Sequence, residues 1–180
     1  MSAYEIYIAY STIVRKEIQR FMRIWVQTLL PPSIIMVLYF IIFGNLIGSR
    51  IGQMGGFDYM QFIVPGLIMM SVISNSYGNV VSSFYSTKYQ GSLEEMLVSP
   101  MPNWVILAGY VTGGVARGLA VGTIVTCLSL FFTQLDVHNL GIIVLVVLMT
   151  SILFSLGGFI NAVFANSFDD IAIVPTFILT

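Results

Sequence analysis

Charge is scarce in this chain, and each residue type it lacks closes off a class of function. Only 8% of its 180 residues are charged, whereas soluble domains carry about a quarter. Seven Lys and Arg against eight Asp and Glu leave a formal net charge of -1. Nucleic-acid binding needs clustered cations to neutralise phosphates, so no nucleic-acid partner is expected. The one cysteine, Cys127, can form no internal disulfide and leaves the redox compartment unreadable. The one histidine, His138, lies far in sequence from Cys127 and from any carboxylate cluster. No nucleophile–base pair, catalytic set or metal-ligand set can be assembled from these residues. The two lysines, Lys16 and Lys88, belong to no Gly-x-x-x-x-Gly-Lys-[Ser/Thr] phosphate loop. The chain is therefore not read as an enzyme, and any ATP it depends on must be hydrolysed elsewhere. The acidic residues (Glu5, Glu17, Asp58, Glu94, Glu95, Asp136, Asp169 and Asp170) all fall in loops or near span ends. A proton-coupled carrier usually needs an ionisable group near the midplane, so that class loses weight.

Apolar residues fill the space that charge leaves. They make up 57% of the chain, and the mean hydropathy is +0.93, values of a membrane protein. A spanning helix needs ~20 largely apolar residues. Four segments qualify: Trp25–Ile47, Gln61–Phe84, a stretch from Val105 to Thr133, and Leu140–Ala165. A fifth begins at Ile171 and is cut off at Thr180. The expected fold is all-α: a polytopic helical membrane protein with four complete spans and the start of a fifth, in a single domain over residues 1–180. A chain that stops inside an apolar segment is expected to continue in the natural protein. The N-terminus lacks an apolar h-region and a cleavage site, so it does not read as a signal peptide.

Orientation follows from cations near the span ends. Arg15, Lys16, Arg20, Arg23 and Lys88 fall on one side and Arg50 on the other. The N-terminus, the Glu94–Glu95 loop and Asp169–Asp170 are thus expected in the cytoplasm, with 48–60 and 134–139 outside. Before the first span, a helical wheel gathers Tyr4, Tyr7, Val14, Ile18, Phe21, Met22 and Trp25 on one side. Lys16, Gln19, Arg20 and Arg23 take the opposite side. This is the pattern of an amphipathic helix lying in the bilayer interface, with its cations toward anionic lipid, and most of these residues are equally those of an ordinary juxtamembrane helix that only anchors the chain. Pro31 and Pro32 imply a kink in the first span.

Polar residues inside the spans form patterns of their own. Ser71, Asn75, Asn79 and Ser82 recur at three or four residues and make one stripe along the second span. Hydrocarbon satisfies no amide, so the stripe must face other helices or a wet cavity. It is either the lining of a transport path or a set of interhelical hydrogen bonds. On the third span, Gly114, Gly118 and Gly122 have the small-xxx-small spacing of a close helix crossing. Arg117 sits among them, either as an inner-leaflet charge snorkelling to the cytoplasm, the reading favoured here, or as a buried one that needs a partner.

The segment Ser92-Leu93-Glu94-Glu95-Met96-Leu97-Val98-Ser99-Pro100 stands apart. It carries the adjacent glutamates between two charge-free runs, Tyr59–Thr87 and Met96–Ala116. Ser92 and Glu95 have capping-box spacing, Leu93, Met96 and Leu97 share a helical face, and Pro100 stops the turn. The segment is a helix presented to a partner or one lying on lipid headgroups.

An interface helix, two spans, an intracellular Ser-Leu-Glu-Glu-Met-Leu-Val-Ser-Pro-Met segment and a Gly-rich third span together resemble the permease subunits of ABC-2-type exporters. The resemblance runs along the whole chain and is most specific over Ser92–Met101. It implies a bacterial inner-membrane permease with six spans, of which this chain stops in the fifth. Such permeases work as a homodimer with two separate ATPase subunits, which hold the ATP and magnesium, so this chain would carry no cofactor itself. By the same resemblance Ser92–Pro100 is the coupling helix, with Leu93, Glu94, Glu95, Met96 and Leu97 meeting the ATPase. The alternatives are an ion-coupled carrier or channel, and a membrane enzyme or assembly factor. The sequence does not specify the substrate.

Overall fold

A computed structural model describes residues 2–48, 50, 52–54, 56–134 and 139–178. His138 and Asp136 lie outside them. The chain is helical almost throughout, as its composition dictates. Helix α1 (Ala3–Arg23) opens with a reciprocal capping box. The Glu5 amide donates to Ser2 Oγ at 3.3 Å, and the Ser2 amide donates to Glu5 Oε2 at 2.8 Å. The first span follows in three pieces: α2 (Trp25–Thr28), α3 (Leu30–Ile41) and a π-helical stretch, Ile42–Gly48. The expected kink takes the form of a break. Pro31 and Pro32 lie in the first turn of α3, where their missing N–H groups have no intrahelical acceptor anyway.

The segment 48–60, read as a loop, holds a small antiparallel hairpin, Gln53–Met54 (β1) against Phe57–Asp58 (β2). Four helices follow: α4 (Tyr59–Tyr89), α5 (Ser92–Val98), α6 (Asn103–Ser129) and α7 (Leu140–Phe164). The last, α8 (Phe168–Ile178), starts with a second capping box. Ser167 Oγ accepts from the Asp170 amide, and Asp170 Oδ2 accepts from the Ser167 amide. Among the described residues, three segments are long and apolar enough to cross a membrane: Trp25–Gly48, Asn103–Ser129 and Leu140–Phe164. Helix α4, read as the second span, has 31 residues, or ~46 Å at 1.5 Å per residue. It has ample length but carries the polar stripe, and it is not one of those three.

Helix α4 is the hub of the bundle. It runs antiparallel to α6, where Gly114, Gly118 and Gly122 meet Val80, Ser76 and Val72 in turn. A Cβ at Gly118 would land on Ser76 Oγ, so this crossing depends on glycine. Helix α7 closes on the other side, and Gly158 admits the Tyr77 carbonyl so closely that a Cβ would stand 2.7 Å away. The outer face of α7, with Ile142, Leu145, Met149, Leu153 and Ile160, is exposed apolar surface suited to lipid.

Two apolar cores result. One, around Val80, Phe84, Val105 and Tyr110, lies at the end of the bundle near α5. The other, around Phe40, Val64, Val121 and Val125, lies at the hairpin end. Polar residues of the α4 stripe lie between them.

Candidate functional site

The polar stripe of α4 is buried. Ser71, Asn75 and Asn79 are inside the protein and Ser82 is half-buried. Their neighbours are α1 and α6. Arg20 of α1 donates through Nη2 to the Asn79 carbonyl at 3.0 Å and to Asn79 Oδ1 at 2.8 Å. One turn away, Arg117 of α6 donates to Asn75 Oδ1 at 3.3 Å, while Asn75 Nδ2 bonds to the Ser71 carbonyl at 3.0 Å. Ser82 Oγ is turned to the Gly78 carbonyl of its own helix at 2.7 Å. Arg117 thus has the partner that the alternative reading, a buried charge, requires. An amide acceptor on the facing helix holds its guanidinium within the bundle.

Glu17, one of the acids near span ends, has no exposed surface. Its Oε1 accepts from Ser83 Oγ at 2.7 Å, and its Oε2 lies 3.5 Å from Arg20 Nη2. Gly113 makes room for it, since a Cβ there would stand 2.5 Å from Glu17 Cβ. Gly109 receives Ile13 in the same way. Helix α1 therefore docks along α6 by its Ile13, Glu17 and Phe21 edge rather than lying free in the interface. Lys16, Gln19 and Arg23 remain exposed as the wheel implied, but Arg20 turns inward. Tyr4, Tyr7, Met22 and Trp25 stay exposed, whereas Phe21 is buried.

At the end of α4 the chain turns sharply through Gly91, whose φ of +76° is in the left-handed region that a Cβ disfavours. This residue is itself the N-cap of α5, and no side chain caps the helix. The Ser92–Glu95 capping box is thus not formed. The turn brings Ser92 into the first helical position, where its hydroxyl is past the point from which it could reach the third amide. Helix α5 rests on the core through Leu93 and Met96. Its outward surface is Glu94, Glu95, Leu97 (54% exposed) and Val98 (88% exposed). Pro100 is also exposed, just past the helix end. A cleft of about 550 Å³ opens alongside, lined by Leu93, Leu97, Trp104, Leu107 and Phe159. Lys88, another lining residue, donates to the carbonyls of Val163 and Ala165 at 2.8 Å each and fastens α4 to the end of α7.

A bundle of apolar helices with a polar layer and a short helix at one end has relatives of known class. The sequence profile of the ABC-2 type transporter matches residues 8–180. Over 174 residues the chain is 64% identical to the inner membrane transport permease YadH of Escherichia coli strain K12, covering 97% of this chain and 68% of that protein. The chain belongs to the ABC-2 type transporter family. YadH of Shigella flexneri matches to the same extent. No solved structure matches the chain.

Within this ABC-2 chain the residues singled out by sequence fall into two groups. Ser71, Asn75, Asn79, Arg117 and the three glycines meet in the bundle interior. Ser92–Pro100 lies apart at the end of α4. Sequence reasoning missed Glu17 and Arg20 as interior residues. The signal that could have found them was Gly109 and Gly113, an i,i+4 pair of small residues on a different face of α6 from Gly114, Gly118 and Gly122. A second small-residue face calls for a second close helix, and α1 is that helix.

Proposed function

We propose that this chain is the multi-pass inner-membrane permease of an ATP-binding cassette exporter, driven by a separate ATPase subunit that docks on α5. The observation that carries the reading is the build of α5. A helix braced on its own core by Leu93 and Met96 can transmit a push, whereas one floating on headgroups cannot. The docking surface is then Glu94, Glu95, Leu97 and Val98 with the adjoining cleft, which Leu93 also lines; Met96, the third residue of the face expected from spacing, packs on the core. Exposed apolar residues beside a cleft suit a protein partner, with the carboxylates at the rim guiding orientation. ATP and magnesium belong to that partner. In this scheme closure of two ATPase subunits moves α5, Gly91 and α4 in each half of a permease homodimer, and the polar stripe of α4 moves with them.

Two measurements test it. In a Cys127→Ser background, Glu94→Cys should be shielded from a membrane-impermeant thiol reagent in intact cells, and Asp58→Cys should be labelled. The opposite pattern would overturn the cytoplasmic placement of α5 and the N-terminus. Exposed ion pairs are each worth up to about 1 kcal/mol, so Glu94→Lys with Glu95→Lys should weaken ATPase copurification by roughly tenfold or more. Thermal stability should fall only modestly, because both side chains are exposed and the cost is that of two cations in the first turn of α5. ATPase attachment and substrate-stimulated hydrolysis that survive the double change would remove the coupling role.

A further inference from the structure

Two guanidiniums converge on the α4 stripe, and one carboxylate, Glu17, lies against the first of them. Arg20 and Arg117 bond to Asn79 and Asn75, which lie four residues apart on α4. Glu17 offsets one of the two through its contact with Arg20. Among the described residues, Arg117 has no carboxylate partner. Its Asn75 acceptor offers a lone pair and no charge, so a positive charge is left over in a layer flanked by two apolar cores. Burying a charge without a counter-charge is costly, and water can satisfy its donors but cannot neutralise it.

The unused hydrogen-bonding atoms point to the same chemistry. Nε of Arg20, Nε of Arg117 and Nδ2 of Asn79 are all buried N–H donors without an acceptor. Asn79 is itself fully buried, and its Nδ2 turns toward the Gly113 notch, where a Cβ would come within 3.7 Å. Glu17 Oε2 and Ser71 Oγ in the same layer are also buried without a hydrogen-bond partner, but the three N–H donors and the surplus cation favour a negatively charged acceptor. The planar guanidinium fork fits the oxygens of carboxylate and phosphate in particular. The cluster is not sealed, because the Arg20 side chain is 32% exposed.

We propose that Arg20, Arg117, Asn75 and Asn79 form a binding site for an oxyanion, a phosphate or carboxylate group, at the junction of α1, α4 and α6. The site deepens the permease reading by giving the transported compound, or a lipid that controls transport, an acidic group. Occupancy requires no ATPase, so it can be measured on the permease alone.

The experiment is calorimetric titration of the purified permease in nonionic detergent with dodecyl phosphate, dodecanol and inorganic phosphate. Saturable binding of dodecyl phosphate, with dodecanol bound far more weakly, is expected. Saturation by inorganic phosphate as well would assign recognition to the free oxyanion. Its absence would assign recognition to an amphiphile's headgroup, and either result upholds the site. Arg117→Gln should weaken dodecyl phosphate binding by roughly tenfold or more, the scale of a lost charge-assisted contact. Asn75→Asp guards against a folding artefact. It places a carboxylate opposite Arg117 and gives up the Asn75 Nδ2 bond to the Ser71 carbonyl, so the new ion pair should offset that loss and keep the melting of the unliganded protein close to the parent's while anion binding falls. Equal binding of dodecanol, no binding of either phosphate, or dodecyl phosphate binding unchanged in Asn75→Asp would overturn the proposal. Failure of ATPase docking at α5 would leave this titration unaltered, so the two readings fail separately.

Discussion

Ser83→Ala probes the state of Glu17 without touching either arginine. The serine is 3% exposed and the glutamate 0%, and among the described residues their 2.7 Å hydrogen bond is the only one that the carboxylate receives. Oε2 has Arg20 at 3.5 Å as an ionic neighbour, but that side chain is partly exposed and its attraction is screened. The Ser83 hydroxyl therefore contributes more than the ion pair. A hydrogen bond to a charged group contributes about 1.5–3 kcal/mol, and a chain of this size loses about 2–4 °C per kcal/mol. Ser83→Ala should lower the midpoint of thermal unfolding in detergent by roughly 3–12 °C. In a Glu17→Gln background the same change breaks a neutral bond of about 1 kcal/mol, so the drop should shrink to roughly 2–4 °C. The difference between backgrounds is the coupling energy of the pair. A loss below about 0.5 kcal/mol, or one equal in both backgrounds, would show that Glu17 is not a buried carboxylate held by Ser83.

Three further outcomes follow from the geometry. Gly118→Ala drives a Cβ onto Ser76 Oγ at the α4–α6 crossing, and overpacking of this kind should cost ~1–3 kcal/mol in thermal unfolding. Gly91→Ala places a Cβ on a residue with φ of +76°, at a cost of about 1–2 kcal/mol. Because Gly91 leads into α5, ATPase copurification should fall with it. Asp170 accepts from the Asn166 and Ser167 amides and partners the Ser167 hydroxyl, which holds its carboxyl below the usual value of 3.8. A depressed folded-state pKa stabilises the ionised, folded form above pH 3.8 and loses that contribution as pH falls through the lower folded value. Protection of the α8 amides, taken relative to intrinsic exchange at each pH, should fall on acidification below pH 3.8 in the parent and change little in Asp170→Asn.

The sequence carried the helices and their faces further than it carried their partners. The periodicity of Ser71, Asn75 and Asn79 required a covered face, and the face is covered. Nothing in that periodicity says that the cover is α1, because an amphipathic wheel separates polar from apolar residues but does not distinguish lipid from protein. Arg20 was grouped with Lys16 and Arg23 on that account, although it alone of the three reaches Asn79. Capping-box spacing occurs at Ser2–Glu5, Ser92–Glu95 and Ser167–Asp170, and the reciprocal bonds form at the first and last. At Ser92 the left-handed Gly91 decides otherwise. That conformation comes from how the chain leaves α4, not from the residues that follow.

Lys88 has a history as well as a position. In the proposed orientation it is one of the cations that hold the cytoplasmic loops back during insertion, when the chain is still meeting the membrane segment by segment. The carbonyls it later grips, Val163 and Ala165, are made 75 and 77 residues after it. At ~5–20 residues per second of synthesis, the ammonium stays hydrated and topogenic for several seconds before that clasp can exist. One side chain thus serves biogenesis first and architecture afterwards. A Lys88→Met chain could be inserted the wrong way round, or inserted correctly with α7 unfastened, and the two defects would arise at different moments in the life of the same molecule.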